Sequence, residues 1–202
     1  LRIRKVSQNG IITTIAGNGM NYSGGDGGPA TQVGIGNPFA VAVDDSENVY
    51  FVAENRIRKV NSNGIISTVA GNGSSGYNGD NIPATHASLS GPMGIAVDTS
   101  GNIYIADTGN NRIRKVNPNG IITTLAGTGQ LGFDGDGGPA VQAKIWGPCS
   151  VAYDRKGNIF LIDGVNMRVR KIDPSGMITT VAGNGRQNFS GDGGPAILAS
   201  FD

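Results

Sequence analysis

Basic side chains are the first residues in this sequence able to do chemistry. Of the 16 lysines and arginines, 12 fall in four short blocks: Arg2, Arg4 and Lys5; Arg56, Arg58 and Lys59; Arg112, Arg114 and Lys115; Arg168, Arg170 and Lys171. A ladder of guanidinium groups can grip phosphates, because its planar donors match an oxyanion in pairs. The same groups can instead pack their stems inside the protein and bond loop carbonyls or turn carboxylates. Identical placement in every block favours this second use, since a binding site is local whereas a scaffold requirement recurs. Lys144, Arg155, Lys156 and Arg186 lie outside the blocks and form no patch in the sequence.

Carboxylates come next. Asp26, Asp80, Asp136 and Asp192 each follow a glycine in a long connecting segment. Ca²⁺ takes oxygen ligands in flexible loops, but the alternating acidic spacing of a calcium loop is missing. Capping of the short turn after Pro29, Pro139 or Pro195 is the preferred reading, because proline suits a first helical position. Asp44, Asp98 and Asp154 end apolar strands and form a second series, which would make an arc at one mouth of a ring. His86 is the single histidine, so one chain has no His-rich metal site. Cys149 has no histidine near it in sequence, and its slot holds Phe39 and Met93 in other repeats, which reads as apolar packing. No nucleophile elbow or phosphate loop is present. The sequence therefore predicts no catalytic residue, no metal ligand and no bound cofactor, with Ca²⁺ the one cation worth weighing.

The elements that carry these residues repeat. Ile3 to Val6 returns as Ile57 to Val60, Ile113 to Val116 and Val169 to Ile172, at offsets of 54, 56 and 56 residues. After each block comes an Asn-Gly or Ser-Gly turn and a second apolar run: Ile11 to Ala16, Ile65 to Ala70, Ile121 to Ala126 and Met177 to Ala182. Asn-Gly between two such runs is a hairpin signal, since both residues tolerate positive φ. Two further strands precede the block, for example Gly94 to Asp98 and Asn102 to Ala106, joined by a turn that opens on Asp98. Each unit thus reads as four antiparallel strands a, b, c and d, and units of this period read as propeller blades. A β-solenoid usually has a much shorter period. The 34 glycines among 202 residues belong to these turns, and the net charge of +1 gives no global field toward nucleic acid or an anionic membrane. No apolar run is long enough to span a bilayer.

The run Asp107 to Val116 after Gly94 to Asp98, and the connector Gly-Asp-Gly-Gly-Pro-Ala (Gly25 to Ala30, Gly135 to Ala140, Gly191 to Ala196), resemble the NHL repeat. The connector is similar to the NHL region of teneurin-type cell-surface proteins and of bacterial and protist NHL arrays. Copy two departs at Gly79 to Ala84, and copy one lacks two residues between strands b and c. The resemblance implies a propeller, usually six-bladed, used mainly for binding, and favours a secreted or cell-surface setting. RNA-binding members exist, so RNA stays open as a further alternative, although nucleic acid is not the expected partner.

The predicted fold is all-β: a propeller arc of about four NHL-type repeats, with a half-blade over 1–36 and blades over about 37–90, 91–146 and 147–202. The expected function is non-enzymatic, a scaffold presenting loops to a protein or glycan. The alternative is a lyase- or hydrolase-like enzyme acting on a small molecule at the axial mouth through a divalent cation. Aromatic connector tips Tyr22, Tyr77, Phe133 and Phe189, together with Phe39, Met93 and Trp146, are the candidate partner-binding residues. The tip aromatics have a competing use, folding back over the blade edge. Unpaired blade faces at both ends predict self-association, as a homodimer or larger assembly that completes the ring.

Overall fold

The computed structural model describes all residues 1–202, and every regular element longer than one turn is a strand. Strands β1 (Ile3–Val6) and β2 (Ile12–Ala16) form an isolated hairpin. The first complete blade is β3 (Pro38–Val43), β4 (Val49–Ala53), β5 (Arg56–Val60) and β6 (Ile66–Ala70), antiparallel in chain order. The connector then supplies the two-residue strand β7 (Ile82–Pro83). The second blade follows as β8 (Gly94–Val97), β9 (Ile103–Asp107), β10 (Arg112–Val116) and β11 (Ile121–Ala126). The third repeats the plan with β12 (Gly138–Pro139), β13 (Pro148–Tyr153), β14 (Ile159–Asp163), β15 (Arg168–Ile172) and β16 (Met177–Ala182). Strand order β7-β11-β10-β9-β8 places each connector strand against the outer edge of the blade that follows it.

Each blade buries its faces against its neighbours. Tyr50, Val52 and Ile57 of the first blade share one cluster with Ile95, Ile105 and Ile122 of the second. Tyr104, Ala106 and Ile113 of the second share the next with Val151, Leu161 and Ile178 of the third. The small residues Ala84, Ala87, Ala140 and Ala143 of the connectors are sealed into these clusters. Burial on two faces explains why β9 reads as a continuous apolar run instead of alternating.

A bulge recurs in every c–d pair. Its register slips after Ile3, Ile57, Ile113 and Val169, so Ile113 opposes Ala126 while Arg114 opposes Thr124. A bulge re-aims side chains locally. Here it lets two successive residues, Ile113 and Arg114, both be buried, giving the arginine a place inside the blade. No helix is long and apolar enough to cross a membrane.

Candidate functional site

The second arginine of each block is a buried structural group in the three complete blades. Arg58, Arg114 and Arg170 are almost wholly inaccessible. Each reaches 34 residues or so back to the preceding connector. Arg58 meets Asp26 at 2.8 Å, Arg114 meets Asp80 at 2.8 Å, and Arg170 meets Asp136 at 2.7 Å. They also donate to connector carbonyls, Gly24 O, Gly79 O and Asp134 O respectively. The first arginine of each block serves the other connector: Arg2, Arg56, Arg112 and Arg168 donate to Asn18 O, Asn72 O, Thr128 O and Asn184 O. The ladder is thus a set of clamps binding connectors to blades.

This geometry revises the role expected for the connector aspartates. The short turns after Pro29, Pro83, Pro139 and Pro195 carry no side-chain cap. Asp26 instead accepts from Arg58 and from the Thr68 backbone N–H, and Asp80 from Arg114 and the Thr124 hydroxyl. The reason is distance along the fold: the connector strand runs beside strand d of the next blade, which points the carboxylate at that blade's arginine.

Two further aspartates, Asp107 and Asp163, went unrecognised in the sequence. Both are fully buried and lie 3.5 Å from Arg114 and Arg170. Asp107 accepts from the Ser90 N–H and Asn110 Nδ2; Asp163 accepts from the Trp146 N–H and Asn166 Nδ2. Burial pushes both carboxyls above the usual range, against the hydrogen bonds and the arginines. Ala53 occupies this position in the first blade. The signal was available: the aspartate is absent from the copy whose b–c loop is two residues shorter.

Asp44, Asp98 and Asp154 close the a–b turns. Asp98 accepts from the N–H groups of Ser100 and Asn102, from Asn102 Nδ2 and from the Tyr104 hydroxyl. Burial raises its pKa, yet those four bonds together hold it below the usual value. Burial and this carboxylate push the Tyr104 phenol well above its ordinary range. Among all 202 residues, no three His, Cys, Asp or Glu side chains converge as a metal site would need. Cys149 is half-buried, and burial raises its thiol pKa, the opposite of an activated nucleophile.

The candidate binding residues gather at the end of the blades where strands b and c are joined. Asn110 donates to Gly76 O and Asn166 to Gly132 O, tying two connector tips to the b–c loops. Thr108 donates to Pro148 O, and the Val165 N–H to Trp146 O, which brings the starts of the a strands to the same end. Tyr77 lies 3.9 Å over the Arg112 guanidinium, and Phe133 lies 3.8 Å over that of Arg168. These two rings therefore do fold back, yet both keep an exposed face, at 40% and 39%. Tyr22 and Phe189 are more exposed, and Phe39, Met93 and Trp146 are also open to solvent.

Four-stranded sheets stacked face to face, with each connector laced to the next blade, define a β-propeller arc built of NHL-type repeats. Its family follows from comparison. A family model described as the teneurin NHL domain matches residues 19–78, 72–133 and 129–193, and this chain belongs to that family. Human (Homo sapiens) teneurin-1 is 32% identical over 196 residues, covering 84% of this chain and 7% of that protein. Teneurin-4 of Mus musculus is 30% identical with the same coverage. The chain thus spans a small fraction of the length of these relatives. Among solved structures, a Bacteroides thetaiotaomicron protein of unknown function aligns with a TM-score of 0.68 at 23% identity, over 96% of this chain and 44% of that one. A streptogramin B lyase aligns with a TM-score of 0.56 at 16% identity, over 89% of this chain and 47% of that one. At such identities the structural matches establish the fold alone.

Proposed function

We propose that this chain is a non-enzymatic binding propeller whose b–c loop end receives a protein or glycan. One observation carries the reading: Tyr22, Tyr77, Phe133, Phe189, Phe39, Met93 and Trp146 are all exposed, and the rings of Tyr77 and Phe133 rest on the guanidinium groups of Arg112 and Arg168. Rigid aromatics with one open face contribute binding area with little loss of conformational freedom, which suits both protein hot spots and sugar rings. Family membership in the teneurin NHL group supports a binding role, and one solved neighbour is described as an auxiliary nutrient binding protein.

The test probes the immobilised chain with a glycan array and with a panel of secreted proteins, beside the Tyr77→Ser/Phe133→Ser variant. A true ligand weakens by roughly 30-fold or more in the variant, the loss expected when one hot-spot aromatic is removed. Ligands that bind both forms equally would move the site elsewhere. Turnover of a small molecule that depends on an added divalent cation would replace the reading with the enzymatic one.

A further inference from the structure

The first complete blade lacks a contact that the other two share. Tyr77 and Phe133 stand three residues before Asp80 and Asp136, and each ring lies over a pair of arginines in the following blade. Tyr77 is 3.9 Å from the Arg112 guanidinium and 4.9 Å from that of Arg114. Phe133 is 3.8 Å from Arg168 and 4.8 Å from Arg170. Three residues before Asp26 the chain has Ser23 instead, and its aromatic residue, Tyr22, is displaced by one position. The Ser23 hydroxyl accepts from Arg58 at 2.8 Å, while the Tyr22 ring lies beside Gly34 of its own connector. No aromatic ring of the chain lies over Arg56 or Arg58. That place is an open pocket of about 310 Å³, lined by Ser23, Gly25, Asp26, Arg56, Arg58 and Thr68. Its walls are one whole connector and one whole blade.

We propose that this pocket is a slot for an aromatic side chain of a protein partner, which supplies from outside the ring that the other blades carry themselves. The proposal rests on the reading of the chain as a binding propeller and names the group that one blade takes. Arg58 is sealed, so Arg56 forms the floor, in the place of Arg112 and Arg168, the nearer guanidinium groups under the two rings. Its side chain is 32% exposed. Arg112 and Arg168 each donate to two carbonyls, whereas Arg56 donates to Asn72 O alone. An open guanidinium face attracts the negative face of an aromatic ring. Charge excludes an anion as the preferred occupant. Arg56 has Glu54 at 3.8 Å and Arg58 has Asp26 at 2.8 Å, so the place is neutral overall. The filled place beside Arg112 and Arg114 has the same count, with Asp80 and Asp107, and holds a neutral ring. A sugar ring has no π-face for a guanidinium to recognise, which selects a protein's side chain over a glycan. The volume lies at the low end of the roughly 300–1,000 Å³ of small-ligand sites, room for one such side chain.

NMR titration of the isotope-labelled 202-residue chain with p-cresol, the side chain of tyrosine, tests this. Cyclohexanol serves as a non-aromatic control of similar size, and sulfate as an anion. The expected result is a saturable shift of the Ser23, Gly24, Gly25 and Thr68 amides and of the Arg56 Nε–H with p-cresol alone. Ser23→Tyr places a ring in the slot from within and weakens p-cresol there about 10-fold or more, because a tethered ring competes at high effective concentration. Ser23→Ala loses the same bond to Arg58 without adding a ring, and keeps p-cresol binding. Arg56→Gln weakens it about 2- to 5-fold, the worth of an exposed cation–π contact. Unchanged resonances in the second and third blades show that each variant is folded. The proposal is overturned by no saturable shift at these residues, by an equal response to cyclohexanol, or by a response to sulfate in place of p-cresol. Binding undiminished in Ser23→Tyr overturns it as well. The array experiment reads Tyr77 and Phe133 on other blades, so a failure there and a failure here are told apart by the residues that respond.

Discussion

Replacing Arg114 by methionine removes a buried cation while keeping an unbranched stem, and the three blades supply an internal control for its consequence. Arg114 and Asp107 are both fully inaccessible, so the substitution strands a carboxylate whose remaining partners are the Ser90 N–H and Asn110. Breaking a buried pair from one side costs about 3–5 kcal/mol. Arg58→Met is the control. Ala53 stands where Asp107 would be, and its one carboxylate partner, Asp26, is 46% exposed and can turn to water. After discounting for solvent screening, that loss is about 1–2 kcal/mol. Urea denaturation with matched slopes separates the two, and in melting experiments they correspond to roughly 6–20 °C against 2–8 °C. The variant Arg114→Met/Asp107→Ala reproduces the first blade's composition and recovers most of the loss. The pH dependence carries a further signature. Burial raises the Asp107 pKa in the folded chain, so its ionised form opposes folding above the unfolded value and that opposition fades as pH falls. The gap between Arg114→Met and wild type therefore narrows on acidification. Equal losses for Arg58→Met and Arg114→Met would refute the reasoning, because they would mean that the stranded carboxylate carries no penalty.

Two further outcomes follow from local geometry. Gly127 has φ +93°, and an added Cβ there would meet the Asn111 carbonyl and the Ile145 side chain, whereas Gly120 at φ +75° has nothing near it. Gly127→Ala should cost at least ~3 kcal/mol and Gly120→Ala about 1 kcal/mol in chemical denaturation, and equal effects would exclude a steric origin. On acidification, the turn aspartates dominate. Hydrogen bonds from Asn158 and Ser175 hold the Asp154 and Asp173 carboxyls down, and those to Asp44 and Asp98 outweigh the effect of burial. A depressed folded pKa gives stability above the unfolded value of about 3.9 that is lost as pH falls through the folded one. The urea midpoint should drop below about pH 4, by less in Asp98→Asn, and a midpoint that rises there would contradict the turn assignment.

The strand order, the period and the turn positions were legible in the residues themselves, because they rest on interactions between neighbours in sequence. Asn-Gly hairpins and turns closed by Asp98 need only local backbone geometry, and the block at Ile113 recurs in register with the rest of each unit. The identity of the arginines as structural groups was also legible, from their recurrence. Their partners were not. Arg114 meets Asp80 across 34 residues because the connector runs beside the following blade, and no local rule says which blade a connector will join. The burial of Asp107 was likewise decided by packing, since only the stacking of blades removes that strand end from water. The same holds for the tip aromatics. Their types were visible, but that Tyr77 and Phe133 fold back is decided by the Arg112 and Arg168 guanidinium groups that the following blade places beneath them. Short-range propensity therefore built the blade, and long-range burial of charge determined how blades are joined.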